Sequence, residues 1–385
     1  MINLNICYLT TVSITLKSFV IPQIEYLKKE HPEWKFTVIC DNDEEFNASL
    51  PDYITYIPLP MTRGVNLKDS FNLFRLAKIF KRYKYDMVVY STPNAALMAS
   101  LAGYISKVPI RLYNQWGIRY VTFGGFKRFI FKSLEKITCI FSTHIKAVSF
   151  KNRQFAIDEH LCKEEKISVI GIGGTIGVDL LQYDIANKDS YREQLREKYG
   201  IKSNDFVFGY VGRLNVDKGI NELVEAFSDI NNAKLMLVGS IDENYGPSNE
   251  NSSIINSNTN ILLVGAVEAS EVCKYLSAFD VLVHPTYREG FGKVLQEAMA
   301  MGVPVITTDV PGPSEVIEDG ISGVLVQAKN SQALKTAMLD LMNDDKHREQ
   351  YALRGRERVE KYFERSIMLN NILKDYHKVL KIEKS

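Results

Sequence analysis

Short apolar runs alternate with stretches of helical spacing from one end of the chain to the other, the pattern of parallel strands joined by crossover helices. In the first half, runs at 4–9, 35–40, 54–57, 87–90, 110–113, 145–148 and 167–170 predict strands, with helices over 67–83, 94–106 and 126–138 among the intervals. A polar stretch, LLQYDIANKDSYREQLREKYGIKSNDF, reads as a linker and lead-in helix. Beyond it a second set of runs, at 206–211, 235–238, 261–264, 281–284, 303–307 and 324–326, fits one doubly wound domain. Residues 240–260, rich in Asn, Ser and acidic side chains, predict a loop. Residues 344–385 predict a charged amphipathic helical stretch with no cap in its middle, long enough to run back across the first domain. The expected class is α/β: two Rossmann-like doubly wound domains, at 1–182 and 183–362, facing a cleft, with a C-terminal helix over about 363–385 returning to the first.

Composition adds little to this, and charge adds more. The chain of 385 residues is long enough for two cores. Its net charge of +1 hides an asymmetry: residues 1–180 hold 23 Lys/Arg against 16 Asp/Glu, and residues 181–385 hold 24 against 30. Between Arg63 and Arg153 there are 17 basic residues and three acidic ones (Asp69, Asp86, Glu135), which points to an anionic partner for that face. Five scattered cysteines with no CxxC pair indicate neither a disulfide framework nor a zinc site, and fit a reducing cytoplasm. The first residues lack a charged n-region, and no uncharged apolar stretch reaches about 18 residues.

Ligands of doubly wound sheets bind beyond the carboxyl ends of the strands, so candidate chemistry belongs there. The run at 206–211 ends in Gly212 and Arg213, with Asp217, Lys218 and Gly219 just before a helical pattern. Two cations in such a loop suit a diphosphate clamp, although two solvated loop cations would look the same. Gly239 and the Gly265-Ala266-Val267 segment end the next two runs, where a backbone without side chains can approach a flat ligand. The run at 281–284 leads into Glu289-Gly290-Phe291-Gly292-Lys293 and a helix over 294–301. Glycines at a helix start leave amides uncovered for a phosphate. A carboxylate beside a phosphate is electrostatically misplaced unless a sugar, or positive charge developing on it, lies nearby. Glu297 follows two turns later, within about 80° of Glu289 around the helix, and could reach the other end of the same ligand. A helix-cap partner and a surface charge remain alternatives for the two glutamates. Pro311-Gly312-Pro313 opens another strand-to-helix turn, either a second wall of the pocket or only a turn.

The blocks VGRLNVDKG, LLVGAV, HPTYREGFGKVLQEAMAMGVPVI and GPSEVIEDGISGVLV, in this order over about 205–327, resemble the C-terminal half of family 4 retaining glycosyltransferases of the GT-B fold. The first half, through YSTPNAALMASLAGYISKVPIRLYNQWGIRY and neighbouring segments, is similar to the branch that extends bacterial polysaccharides and lipid-linked oligosaccharides, often with N-acetylhexosamine. The resemblance implies that Arg213 and Lys218 neutralise the donor diphosphate beside Gly212. It also implies that Gly290, Phe291, Gly292, Lys293 and Val294 form the loop that binds the diphosphate through backbone amides. Glu289 would touch the donor sugar, Glu297 the ribose, and Gly265 to Val267 the base. Family members need no metal, and no DxD sits at a strand end of the second half. The implied reaction moves a hexose or N-acetylhexosamine from a UDP-sugar, a substrate rather than a cofactor, to a polyprenyl-diphosphate-linked saccharide in capsule, O-antigen or related glycan synthesis. Two positions depart from the pattern: Trp116 in NQWG stands where many relatives carry histidine, and the interdomain motif reads Ile176-Gly177-Val178-Asp179. No first-domain histidine is therefore assigned to the acceptor.

The basic window contains FGGFKRFIFKSLEKI, with Phe126, Phe129, Ile130, Leu134 and Ile137 on one helical face and Arg128, Lys132 and Lys136 on another. With Arg75, Lys78, Lys81, Arg82 and Lys84 it predicts a peripheral enzyme at the inner, anionic face of the cell membrane; a core-facing helix with a solvated basic side is the alternative. Rival functions are a nucleotide-sugar 2-epimerase, which would turn over donor without acceptor, and a non-catalytic nucleotide-sugar binder. A nicotinamide dehydrogenase is disfavoured because GIGGTIG is not G-x-G-x-x-G and follows the last strand of its domain. No aromatic stacking motif for nucleic acid is recognisable.

Overall fold

The computed structural model describes residues 3–61, 70–243 and 245–382. Arg63, Lys68 and Asp69 of the basic window, the first residues of the expected 67–83 helix and the last three of the C-terminal helix lie outside the described residues.

The chain forms two compact units, Met1–Ile176 with Met368–Ser385, and Gly177–Ile367. The first is built on seven strands, β1 (Asn5–Leu9), β2 (Lys35–Cys40), β3 (Ile54–Pro58), β4 (Met87–Tyr90), β5 (Ile110–Gln115), β6 (His144–Ala147) and β7 (Ile167–Val169), all parallel in the order β3-β2-β1-β4-β5-β6-β7. Runs such as MVVY are buried at every position, as strands covered by helices on both faces must be. On one side pack α1 (Ser70–Tyr83), α2 (Pro93–Ile105) and α3 (Gly125–Phe141), with α2 between the other two. On the other, Met368, Leu369, Ile372, Leu373 and Tyr376 of the C-terminal helix Arg365–Leu380 are buried, and Tyr376, Tyr8 and Gln23 share a buried hydrogen-bond cluster.

Helix α3 does not present the face its spacing predicted. Leu134 and Ile137 pack on the core beside Phe131, with Glu135, Thr138 and Cys139 buried, but Phe126, Phe129 and Ile130 are exposed. The first two turns are the exposed part of the helix and the later turns the packed part. Arg128 and Lys132 are each 2.8 Å from the Glu159 carboxylate rather than freely solvated.

The second unit has six strands, β8 (Phe206–Val211), β9 (Ala233–Val238), β10 (Ile261–Gly265), β11 (Val281–His284), β12 (Val305–Thr308) and β13 (Val324–Val326), parallel in the order β10-β9-β8-β11-β12-β13. Two expectations fail here. Residues 240–260 are not all loop: Asn249–Ser257 is helical, because Ser248 accepts the Asn251 N–H as an N-cap and Ile254 and Ile255 pack on the core. These three positions outweigh the polar composition around them. The tail is not one uncapped stretch either. Asp345–Arg358 runs into a π-helical segment, Val359–Phe363, and the chain then extends at Glu364, whose carboxylate accepts the Ser366 N–H at 3.2 Å to start the last helix. A backbone pairing with Val178 fixes the break: Val178 donates to Phe363 O, and Arg365 to Val178 O, both at 2.8 Å.

Candidate active site

In the second sheet the strand order reverses between β8 and β11, the place beyond the carboxyl ends of the strands where doubly wound sheets take ligands. The β8 loop carries Arg213 and Lys218; the β11 loop carries Glu289 and the two glycines. Neighbouring contacts stitch the loops together. Asn215 Oδ1 caps the turn Val216–Lys218 by accepting the Lys218 N–H at 3.1 Å. The Tyr287 N–H donates to Asp217 O at 2.9 Å, and the Arg288 guanidinium meets the Asp217 carboxylate at 2.9 Å. Gly219 has φ +71, and a Cβ there would lie 2.0 Å from Pro285 O, so only glycine lets the loops close to this distance.

The result is direct contact between Lys218 Nζ and Glu289 Oε2. Burial by itself pushes the Glu289 carboxyl up, but the Lys218 ammonium in contact with it outweighs burial and holds the group well below the usual carboxylate range. Glu289 is therefore an anion at any physiological pH. Lys218 is 18% exposed and Arg213 67% exposed, with Arg213 only 3.6 Å from Asp242. One cation is seated and the other projects, tethered through its backbone by the Tyr210 hydroxyl, which donates to Arg213 O at 2.7 Å.

Helix α4 (Ile220–Ser228) follows the β8 loop, α5 is the helix Asn249–Ser257, and α6 (Lys293–Ala300) follows the β11 loop. Gly292 is the N-cap of α6, at φ +84, with no side-chain cap, and in the first turn the Leu295 N–H donates to Gly292 O at 3.0 Å. The Gly290 N–H accepts a different duty, donating to Glu289 Oε1 at 3.1 Å. Phe291 contributes backbone alone, since its ring is buried edge-on against Phe363. Val294 is half-buried in the first turn. Pro311-Gly312-Pro313 packs directly on this loop: Gly312 has φ +95, and a Cβ there would come within 2.4 Å of Gly290 O.

The remaining expected residues lie in other contacts. Glu297 does not share the partners of Glu289; it is buried on α6, 3.1 Å from Lys293 Nζ and near the Tyr183 hydroxyl, whose pKa burial and this carboxylate push up. The N–H of Gly212 donates to Val238 O at 2.9 Å and that of Gly239 to Gly265 O at 2.8 Å, so these strand-end glycines knit to one another first. Gly265 opens onto free space and Val267 is half-buried beside it.

Several neighbours were not singled out from the sequence. His284, the last residue of β11, lies 3.5 Å from Glu289. The Tyr287 hydroxyl contacts the Glu222 carboxylate of α4, and Lys329 Nζ stands 4.9 Å above the Tyr287 ring. Asp217, Arg288 and Tyr183 complete the set. For His284 the signal was present, a polar residue closing an apolar strand at the mouth of the glycine loop; Tyr183 lies more than 100 positions from Glu297 and carries no local signal.

Comparisons with known proteins bear on the family and the fold. Residues 191–358 match the family described as glycosyl transferases group 1, and residues 5–149 match glycosyl transferase 4-like. The capsular polysaccharide biosynthesis glycosyltransferase CapM of Staphylococcus aureus is 34% identical over 98% of both chains. The N,N'-diacetylbacillosaminyl-diphospho-undecaprenol alpha-1,3-N-acetylgalactosaminyltransferase of Campylobacter jejuni is 29% identical over 98% of this chain and all of its own. Among solved structures, Alr3699/HepE of Anabaena in complex with UDP superposes with a TM-score of 0.77 at 19% identity, covering 97% of this chain and 100% of that one. Two parallel α/β units with these relatives make the fold GT-B, and the chain belongs to the group 1, family 4-type glycosyltransferases.

Proposed function

We propose that the chain transfers a sugar, a hexose or N-acetylhexosamine, from a UDP-sugar to a polyprenyl-diphosphate-linked saccharide with retention of configuration, in the synthesis of a bacterial capsule or related glycan. The observation that carries this reading is the half-buried Lys218–Glu289 contact at the strand-order reversal, beside a helix start with no side-chain cap. The names of the two full-length relatives support the polysaccharide role and the lipid-diphosphate acceptor; the UDP in the Anabaena structure supports the donor class.

In this reading Lys218, Arg213 and the first-turn amides of α6 neutralise the departing diphosphate, where the largest charge develops, and such preorganised charge is usually the main catalytic term. Glu289 faces the sugar and meets the positive charge that grows at the anomeric carbon, while the leaving phosphate oxygen takes the acceptor hydroxyl's proton. Gly265 and Val267 lie along the base, and Glu297 reaches the ribose once Lys293 or Tyr183 yields. The reading uses no metal and no cofactor. A panel of UDP- and GDP-sugars against lipid-linked acceptors tests it, with transfer and hydrolysis followed separately. Transfer from one UDP-sugar is expected; donor turnover without acceptor would favour an epimerase, and no turnover of any donor would favour a binding protein.

We further propose that the first unit binds the anionic face of the cell membrane from the cytoplasmic side. Among the described residues no helix is long and apolar enough to cross a membrane. Phe71 and Phe74 of α1 and Phe126 and Phe129 of α3 are exposed on helices that both flank α2, and Arg75, Lys78, Lys81 and Arg82 are exposed on α1. Aromatic side chains interleaved with cations suit an interface of acyl chains and anionic headgroups.

A further inference from the structure

One buried side chain at the strand-end site has no part in the chemistry above. His284 is 2% exposed, its ring lies beside that of Tyr210 with centroids 5.8 Å apart, and neither ring nitrogen has a hydrogen-bond partner among the described residues. Buried polar atoms are nearly always satisfied, so two orphans on one ring at a ligand site mark a contact made in another state. The Nε2 atom is 3.5 Å from Glu289 Oε2, longer than an ordinary hydrogen bond. The charged and titratable groups facing the imidazole are Glu289 and Lys218, with Tyr210 against the ring face. Burial first, and the Lys218 charge after it, lower the proton affinity of the ring and outweigh the opposing pull of Glu289. The imidazole is therefore neutral at neutral pH, with one N–H to give.

Lys218 is the strongest partner Glu289 has, and in the proposed reaction it is also the seated cation for the donor diphosphate. A diphosphate carries more charge than a carboxylate and competes for the same ammonium. Glu289 would then be left mostly buried without its counter-ion, a costly state unless another donor moves in. A closure of ~0.6 Å brings His284 Nε2 to hydrogen-bond distance of the carboxylate.

We infer that His284 is a positioning residue: when the donor diphosphate draws Lys218 away, the His284 Nε2–H takes over the Glu289 carboxylate and holds it towards the sugar. This rests on the transferase reading above, and the test separates the two. Gln places its amide nitrogen near Nε2 and Asn near Nδ1. His284→Gln is expected to keep kcat within about threefold of wild type, and His284→Asn to lose about 10- to 100-fold in kcat, with UDP affinity within about threefold in both. Equal kcat in the two variants, or undiminished kcat in the Asn variant, overturns the inference. If the Asn chain does not fold, His284→Phe, which keeps the stack on Tyr210, is expected to show the same loss, and wild-type turnover in it overturns the inference equally. A readout free of turnover is the imidazole N–H in proton–nitrogen NMR spectra. On saturation with UDP the His284 Nε2–H resonance is expected to move downfield in the wild type and to stay in place in Glu289→Gln. An unmoved resonance with UDP bound sinks the inference and spares the transferase reading; failure of the wild type to bind UDP sinks both.

Discussion

At the scale of single residues, two basic side chains that look alike in the sequence separate in the structure. Lys218 is seated against Glu289, whereas Arg213 projects into solvent with a loose partner in Asp242. A desolvated charge interacts more strongly with a ligand than a screened one. Lys218→Ala is therefore expected to weaken UDP binding by about 10- to 100-fold, and Arg213→Ala by about threefold, as read by calorimetry. Equal losses would show that the seating has no consequence. The sequence made the charges and the glycine loop legible because strand-end loops concentrate polar chemistry. It left the internal ion pair unseen, because a carboxylate and an ammonium 71 positions apart carry no local sign that they meet. The second glutamate shows the limit of helical arithmetic: 80° of rotation brings Glu297 near the face of Glu289, yet Lys293 and Tyr183 hold it in separate contacts.

At the scale of elements, the strand runs were legible because parallel strands buried on both faces must be apolar throughout. Helices were less so, where an exposed turn or a cap decided the outcome. Helix α3 is exposed at its start, and its third turn carries a buried acid. Glu135 accepts hydrogen bonds from the Tyr113 hydroxyl at 2.9 Å and Gln115 Nε2 at 2.8 Å, but burial outweighs them and raises its carboxyl above the usual range. The folded chain then keeps this proton to a higher pH than the unfolded chain does, so the stability due to the neutral form is lost as pH rises through the raised value. Glu135→Gln is expected to melt higher than wild type at pH 8, with the gap narrowing towards pH 5; a gap independent of pH contradicts the assignment. Gly219 offers a second element-level test. With a positive φ and Pro285 O where a Cβ would stand, Gly219→Ala should destabilise the chain by about 1–3 kcal/mol in urea unfolding and weaken UDP binding, because the two site loops can no longer close. Wild-type stability in that variant would contradict the packing argument.

At the scale of the whole molecule, charge is divided between a basic first half and an acidic second half. The structure adds exposed phenylalanines to the basic half, which composition could not reveal, since the same spacing also fits a helix facing the core. Binding to vesicles of anionic lipid should fall about fivefold for each of Lys78→Gln and Lys81→Gln, and should fade with salt. Binding that ignores both lipid charge and salt would count against a membrane face. The central claim is that Glu289 serves the sugar while Lys218 and the helix start serve the diphosphate. The direct measurement is kinetics and UDP calorimetry on Glu289→Gln side by side. Because the neutral amide releases Lys218 from its ion pair, UDP should bind as tightly as to wild type or a few-fold tighter, while kcat for sugar transfer drops by about 100-fold or more. Near-normal turnover, or loss of UDP binding, would contradict it.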